Sequence, residues 1–270
     1  MLKTRVITAL ILATIFVSAI FFLPPLFWNV LVLFIVALAA VEWAKLSKFS
    51  NRLTFVYAGL IGLAGLLAIF MRPDWLNIAI FFGILLSALF WVLIAPMILG
   101  FRKPLNNPFV LALLGLLIIV PFGLAMVALR AIGPWLLIVF ILAVSIADTA
   151  AYFAGTKFGK RKLAPTISPG KTWEGVAGAL IAVSIYGLIL CQITHQSLWF
   201  VVVLWALTAL SIEGDLIESF FKRQADVKDS GAMLPGHGGV LDRIDGLTSS
   251  LPFMTFLIAL PTYLSIFIHG

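Results

Sequence analysis

One stretch decides the fold class: residues 108–129, PFVLALLGLLIIVPFGLAMVAL, contain no charged side chain. A helix rises about 1.5 Å per residue, so a run of this length crosses a hydrocarbon core about 30 Å thick. Similar apolar runs recur along the 270-residue chain, which is 63% hydrophobic and only 11% charged. A soluble domain is nearer a quarter charged. The sequence therefore predicts an all-α, polytopic membrane protein.

We expect nine transmembrane helices. The first run could pass for a signal peptide, but no small-x-small cleavage site follows it, and we interpret it as a retained span. Only Pro24 and Pro25 separate it from the second run, and proline can end one helix and begin the next. The predicted spans are residues 6–23, 26–44, 54–71, 75–99, 108–129, 134–154, 173–194, 198–221 and 246–268.

The distribution of positive charge tests this count. If the N-terminus is cytoplasmic, 16 of the 18 lysine and arginine residues fall in cytoplasmic segments, and only Arg72 and Arg130 fall on the other side. Cytoplasmic loops of membrane proteins carry such an excess. The pattern predicts a cytoplasmic N-terminus, an outward C-terminus and insertion in the inner membrane. It also explains the net charge of +7 without nucleic-acid binding.

Polar chemistry is concentrated in the second half of the chain. We interpret residues 1–130 as a transmembrane scaffold of five spans, and residues 131–270 as a catalytic region with cytoplasmic loops at 155–172 and 222–245. Asp148 lies within the sixth predicted span, where an ionisable side chain is costly and is a functional candidate. The single cysteine, Cys191, lies in an apolar run, which argues against a disulfide framework or a thiolate metal site.

The loop at residues 155–172 ends in Ser-Pro-Gly-Lys-Thr, directly before the seventh predicted span. This tail superficially resembles a P-loop, but Pro165 stands where that motif needs glycine, and we expect no preceding strand. A weaker interpretation remains. Ser168, Lys171 and the start of the helix favour an anion, because free N–H groups and the helix dipole point toward the loop. Thr172 is a predicted N-cap.

The main polar stretch is residues 212–246, IEGDLIESFFKRQADVKDSGAMLPGHGGVLDRIDG. It holds seven of the chain's eleven acidic residues, together with four cationic side chains and a histidine. Asp215 lies three residues before Glu218 and four before Ser219, so the three side chains share one helical face. Asp242 and Asp245 are related in the same way at the start of the last helix.

Oxygen ligands without thiolates suit Mg²⁺, which proteins commonly bind through one or two carboxylates plus substrate phosphates. Neighbouring lysine and arginine residues suit a polyphosphate. Phosphoryl or nucleotidyl transfer depends on positioning and charge neutralisation more than on a protein nucleophile. The stretch therefore predicts a Mg²⁺-dependent transfer reaction at the inner membrane surface, between a water-soluble phosphate compound and a lipid.

The same stretch resembles the signature of the phosphatidate cytidylyltransferases, or CDP-diacylglycerol synthases. The resemblance is carried by Ser219-x-x-Lys222-Arg223, by Lys228-Asp229 and by His237-Gly238-Gly239-x-x-Asp242-Arg243-x-Asp245. A second segment, Ser168-Pro169-x-Lys171-Thr172-x-Glu174-Gly175, is also similar to that family. Together these segments cover about 80 residues, 168 to 246.

The resemblance implies that CTP and phosphatidate react to give CDP-diacylglycerol and pyrophosphate, and it implies a homodimer. We expect Asp215, Asp242 and Asp245 to hold Mg²⁺. We expect cationic residues to neutralise phosphates, Lys171 to bind a further phosphate, and His237 to orient a phosphate. The predicted catalytic residues are Asp215, Lys222, Arg223, Asp242 and Asp245. The predicted substrate-binding residues are Ser168, Lys171, Thr172, Ser219, Lys228, Asp229, His237, Gly238, Gly239 and Arg243.

Two other functions remain open from the sequence. One is another Mg²⁺-dependent membrane enzyme acting on phosphorylated lipids, such as a CDP-alcohol phosphotransferase or a prenyltransferase. The DG-x-x-AR pattern of the CDP-alcohol phosphotransferases is absent. The other is a cation transporter, because carboxylates within a membrane can mark ion pathways. Transporters often contain internal repeats, whereas here the polar residues lie in one half of the chain.

Overall fold

The computed structural model describes residues 2–71, 73–231 and 238–269, and this part of the chain is a bundle of long helices with one short hairpin. Helix α4 continues through a π-helical segment, Phe90–Ile94, into α5. The helices are α1 (Leu2–Phe22), α2 (Pro25–Leu46), α3 (Asn51–Ile69), α4 (Pro73–Leu89), α5 (Ala95–Phe101), α6 (Pro108–Ile132), α7 (Pro134–Phe158), α8 (Trp173–Thr194), α9 (Trp199–Gln224) and α10 (Leu241–His269). The strands are β1 (Lys162–Ala164) and β2 (Ser168–Thr172).

The all-α, polytopic prediction is confirmed. Within the described residues, eight helices are long and apolar enough to cross a membrane, and the α4–α5 unit counts as one of them. They correspond to the second through ninth predicted spans. The first predicted span coincides with α1, where the described apolar segment is the shorter Ala13–Phe22. The chain is therefore a membrane protein.

Local chemistry sets several helix ends. The side chain of Asn107 accepts hydrogen bonds from the backbone N–H groups of Phe109 and Val110 at the start of α6. Pro108 follows at the first helical position, where its missing N–H costs nothing. Thr172 accepts from Gly175 N at 3.1 Å, which confirms the predicted N-cap of α8.

Helix α10 lies among the other helices and packs against α9, α6, α4 and α2. It approaches α9 closely at Gly214, where a Cβ atom would collide with the backbone oxygen of Asp245 and lie 2.5 Å from Ser249 Oγ. Ser249 Oγ donates to the Leu210 carbonyl of α9 at 2.7 Å. Small residues thus bring the two helices that carry most of the predicted site into direct contact.

The helix ends meet in two groups at opposite ends of the bundle. At one end, the Gln224 amide exchanges two hydrogen bonds with the backbone of Leu105, at 2.7 and 2.9 Å. At the other end, Arg130 of α6 donates to the carbonyls of Ile20 and Leu23, where α1 meets α2. The first end holds the loops that the charge pattern predicts to be cytoplasmic.

The hairpin corrects one expectation from the sequence. Strands β1 and β2 pair antiparallel, with Lys162 opposite Thr172 and Ala164 opposite Ser168, so a strand does precede Ser-Pro-Gly-Lys-Thr. The two strands satisfy each other's backbone groups without a larger sheet. Ser-Pro-Gly-Lys-Thr is itself strand β2 rather than a loop leading from a strand into a helix, so a P-loop is still not formed.

Candidate active site

The site is built mainly from the last three turns of α9 and the first turns of α10. On α9, Ser219 Oγ donates to Asp215 Oδ1 at 3.2 Å, and Lys222 Nζ contacts Glu218 Oε2 at 2.7 Å. Both pairs are four residues apart, the spacing that places side chains on one helical face. The predicted grouping of Asp215 with Ser219 is therefore present.

Lys222 links the two helices. Its Nζ atom also lies 2.7 Å from Asp242 Oδ1 in the first turn of α10. The second oxygen, Asp242 Oδ2, accepts hydrogen bonds from the backbone N–H groups of Ser230 at 2.9 Å and Gly239 at 2.8 Å. The Lys222 and Asp242 side chains are only 12% and 9% exposed, so this pair is shielded from solvent. Lys222 and Asp242 are consequently held in one orientation.

A second ion pair brings the hairpin to the same place. Lys171 Nζ of β2 lies 2.7 Å from Asp215 Oδ2 and 3.3 Å from the Ile212 carbonyl oxygen. The predicted phosphate ligand thus contacts a predicted metal ligand. This pair is more accessible than Lys222–Asp242, with side chains 23% and 34% exposed.

Asp245, in the first turns of α10, interacts with acidic and basic groups of both neighbouring clusters. It interacts electrostatically with Asp215, Lys171 and Asp148, and also with Glu218. Its own Oδ1 accepts from the Gly246 N–H at 2.8 Å. Five carboxylates of α7, α9 and α10 therefore form one connected electrostatic group: Asp148, Asp215, Glu218, Asp242 and Asp245. Asp148, selected from the sequence as an intramembrane acid, belongs to it.

Glu218 and Asp245 also line a small cavity beside the indole rings of Trp43 and Trp91. The Glu218 side chain is 4% exposed, and its Oε1 atom accepts no hydrogen bond from any described residue. Trp91 belongs to the π-helical segment, and such segments are frequent at functional sites. The carboxylate group is therefore bounded in part by aromatic surface.

The remaining predicted residues surround this centre at different distances. Arg223 is exposed and donates to the Ile167 carbonyl at 3.4 Å, which connects α9 to the hairpin. Lys228, Asp229 and Arg243 are exposed, while Ser168 is half-buried in β2. His237, with Pro235 and Gly236, lies outside the described residues.

Glycine is required at positions 238 and 239 for two different structural reasons. Gly238 has φ +83°, in the region that favours glycine. At Gly239, a Cβ atom would lie 2.6 Å from Glu42 Oε2. The predicted contact of the Gly239 N–H with a substrate stays a prediction, and in the structure this group already donates to Asp242.

Sequence reasoning missed one acidic residue of this region, Glu42. It lies on α2, in the predicted scaffold, and is fully buried. Its carboxylate accepts from Leu241 N at 2.7 Å, Val240 N at 3.0 Å and Ser230 Oγ at 3.2 Å. A lone carboxylate in an apolar span was the available signal, the same one that selected Asp148.

The described residues contain no group of three acidic, histidine or cysteine side chains placed to hold a metal ion by themselves. Mg²⁺ does not require such a group, because it is usually held by one or two carboxylates together with substrate phosphates and water. Asp215 and Asp245 supply oxygen ligands of that kind and lie in one electrostatic group. The donor set therefore fits Mg²⁺ that is shared with a phosphate substrate.

Comparison with known proteins decides the family. The sequence profile of the Cytidylyltransferase family matches residues 3–260. The chain belongs to this family. The match includes all the residues assigned to the site, and it extends through the N-terminal half, where the sequence motifs gave no information.

Curated relatives agree with this membership in the Cytidylyltransferase family. A phosphatidate cytidylyltransferase of Haemophilus influenzae is 33% identical over 95% of this chain and 98% of its own length. The protein of the same name from Pseudomonas aeruginosa is 37% identical, over 96% of this chain and 97% of its own length. One from Bacillus subtilis is 47% identical over a shorter region, 42% of this chain.

Proposed function

We propose that this protein is a phosphatidate cytidylyltransferase. A phosphate oxygen of phosphatidate attacks the α-phosphorus of CTP and forms a new P–O bond. The bond from the α-phosphorus to the oxygen that bridges it to the β-phosphorus breaks, and its electron pair leaves with pyrophosphate. The products are CDP-diacylglycerol and pyrophosphate. The observation that carries the proposal is the Lys171–Asp215 and Lys222–Asp242 pairs at one end of a membrane bundle.

The position of these pairs suits substrates from two phases. They lie where α9 ends and α10 begins, beside a charged hairpin, so a nucleotide can approach from water. The outer surface of the bundle is rich in exposed apolar side chains, which a lipid bilayer covers. A phosphatidate molecule in that bilayer presents its phosphate at the depth of the helix ends.

The protein's cations neutralise the phosphates during transfer. Lys222 is held rigidly, so its charge is fixed before the substrates bind, which is the arrangement that stabilises a developing negative charge. Lys171 is more accessible and can exchange Asp215 for a phosphate oxygen. Arg223, Lys228 and Arg243 are exposed around the centre and suit the β- and γ-phosphates. A phosphate monoester is largely ionised near neutral pH, so a strong general base is not required.

Mg²⁺ belongs to this proposal. Asp215, Asp242 and Asp245 are its proposed protein ligands. Asp215 forms an ion pair with Lys171, and Asp245 interacts electrostatically with both residues. When bound, the ion supplies charge neutralisation on the phosphate oxygens. Asp242 has a second role: its two oxygens hold Lys222 and two backbone N–H groups, which fixes the orientation of Lys222.

We also propose where the protein is located and how it assembles. The charge asymmetry supports insertion in the inner membrane with the active site on the cytoplasmic side. The family resemblance supports a homodimer.

The direct test is pyrophosphate release by the purified protein in detergent, with phosphatidate, Mg²⁺ and each of the four nucleoside triphosphates in turn. We expect release with CTP, none with ATP, GTP or UTP, and loss of release when Mg²⁺ is chelated. Asp245→Asn should remove the activity while the protein still elutes as a folded species. No release with any nucleotide, from protein shown to be folded, would refute the proposal.

A further inference from the structure

Glu42 is the deepest charged side chain near the site, and it comes from the half of the chain that carries none of the recognised motifs. It is fully buried in the last turns of α2. Its partners lie 188 to 199 residues away in sequence: Ser230, and then Val240 and Leu241 at the start of α10. A buried carboxylate is costly unless it is paired or fully hydrogen-bonded, and three donors satisfy this one.

Glu42 and Asp242 hold the same backbone from two sides. Ser230 donates its hydroxyl to Glu42 and its N–H to Asp242. Gly239 donates its N–H to Asp242, and the next two N–H groups, of Val240 and Leu241, point to Glu42. These N–H groups are at the start of α10, where the helix cannot satisfy them itself and where the dipole favours a negative charge.

The backbone packs so closely around the Glu42 carboxylate that there is no room for a side chain at two neighbouring positions. A Cβ atom at Gly231 would collide with Glu42 Oε1, and one at Gly239 would lie 2.6 Å from Glu42 Oε2. The two glycines lie on either side of residues 232–237. Both are needed for the backbone to reach the carboxylate.

We propose that Glu42 is a positioning residue for the transfer reaction: from α2 it fixes the backbone at Ser230 and at residues 239–241, and thereby the orientation of Asp242 and Lys222. This inference rests on the proposed function. Glu42 and Asp242 share Ser230 and the backbone at residues 239–241, and Asp242 in turn contacts Lys222. Glu42 therefore sets the place of the cation that meets substrate, without meeting substrate itself. The N-terminal half of the chain thus contributes directly to the geometry of the site.

The test is the variant Glu42→Gln, which has the same size but only one acceptor oxygen. The amide NH₂ then faces backbone N–H groups, so the backbone at Val240 and Leu241 shifts away from it. We expect kcat for CTP and phosphatidate to fall about 10- to 100-fold with little change in either KM, because a transition-state contact is misplaced and ground-state binding is not. Glu42→Asp, which keeps the charge, should retain more activity than Glu42→Gln.

Arg130→Gln is the matched control. Arg130 is also a charged side chain that ties helix ends together through backbone groups, but at the opposite end of the bundle. It should lower the unfolding temperature and leave kcat unchanged. If Glu42→Gln keeps the wild-type kcat, or if Arg130→Gln reduces kcat as much at equal loss of stability, Glu42 is only structural and the inference is wrong.

A second readout does not depend on turnover. Hydrogen exchange at the amides of Val240 and Leu241 should be faster in Glu42→Gln than in the wild type, whereas Arg130→Gln should not change it. Unchanged exchange contradicts the positioning role. Absence of turnover in the wild type, together with faster exchange in Glu42→Gln, would instead count against the proposed function.

Discussion

At the scale of single residues, Lys222 is the most constrained group of the site. Its ammonium lies 2.7 Å from both Glu218 and Asp242, and all three side chains are at most 12% exposed. Two carboxylates and one cation leave a net negative charge, so a further cation or a proton is needed to balance the group. Breaking a buried pair by removing one partner is strongly destabilising.

Lys222→Met is therefore expected to lose activity and to reduce the free energy of unfolding by about 3–5 kcal/mol. Adding Glu218→Gln to Lys222→Met should restore part of that stability, because one uncompensated carboxylate is removed, but should not restore activity. Thermal unfolding in detergent and pyrophosphate release measure the two effects. A stable Lys222→Met variant that retains activity would contradict this account of the ion pair.

The ion pair between Lys171 and Asp215 leads to a second prediction for a single residue. Its pair with Asp215 is partly exposed, so solvent screening reduces its contribution to stability, to about 1 kcal/mol or less. Lys171→Gln should therefore keep the unfolding temperature close to that of the wild type while it reduces kcat/KM for CTP by about 100-fold, since a charged hydrogen bond to phosphate is lost. The matched control is Lys48→Gln, which removes the exposed 3.7 Å pair with Asp226. Equal effects of the two variants would contradict a role for Lys171 in substrate binding.

A residue's role could be predicted from the sequence when its partners lie a few residues away, but not when they lie far away in the chain. Thr172 as an N-cap and Ser219 beside Asp215 depend on spacings of three and four residues, and helix geometry alone places them. Glu42 depends on partners almost 190 residues away, which no local pattern encodes. The pairing of Lys171 with Asp215 likewise required the hairpin, whose strands sequence reasoning did not predict.

At the scale of elements, the contact between α9 and α10 brings the carboxylates together. Gly214 permits this contact, since any side chain there meets the backbone of Asp245. Because the collision involves backbone as well as the Ser249 hydroxyl, a small rotation of one side chain cannot relieve it.

Gly214→Ala should destabilise the protein by about 1–3 kcal/mol and should reduce kcat, because α10 moves away from α9 and carries Asp245 with it. Gly100→Ala is the control, since a Cβ there has no neighbour within 4 Å and α5 is helical. It should leave activity unchanged and stability equal or slightly higher. Wild-type activity and stability in Gly214→Ala would show that the close approach of the two helices is not required.

At the scale of the whole molecule, hydropathy and charge were enough to predict where the helices lie in the sequence but not how they pack together. Apolar length alone located the eight confirmed spans, because a helix satisfies its backbone hydrogen bonds within its own segment. Which helices pack together, such as α10 with α2, α4 and α6, depends on side-chain fit over the whole bundle. Consequently we interpreted the sequence as an N-terminal scaffold and a separate catalytic region, whereas in the structure Glu42 of the N-terminal half accepts hydrogen bonds from the start of α10.

The sidedness of the bundle gives a prediction at this scale. In a Cys191→Ser background, we expect Lys160→Cys to resist a membrane-impermeant maleimide in intact cells and to react after the membrane is opened. Ser197→Cys, in the exposed connection between α8 and α9 at the other end, should react in intact cells. The reverse pattern would place the site on the outer side of the membrane.

The central claim is that the lipid phosphate attacks the α-phosphorus of CTP, and the fate of each phosphorus tests it most directly. Purified protein should be incubated with phosphatidate, Mg²⁺ and CTP labelled with radioactive phosphorus at either the α or the γ position. The account predicts that the α label enters the lipid fraction and that the γ label is found in pyrophosphate. Transfer of the γ label to lipid, or recovery of both labels in water-soluble products only, would contradict it.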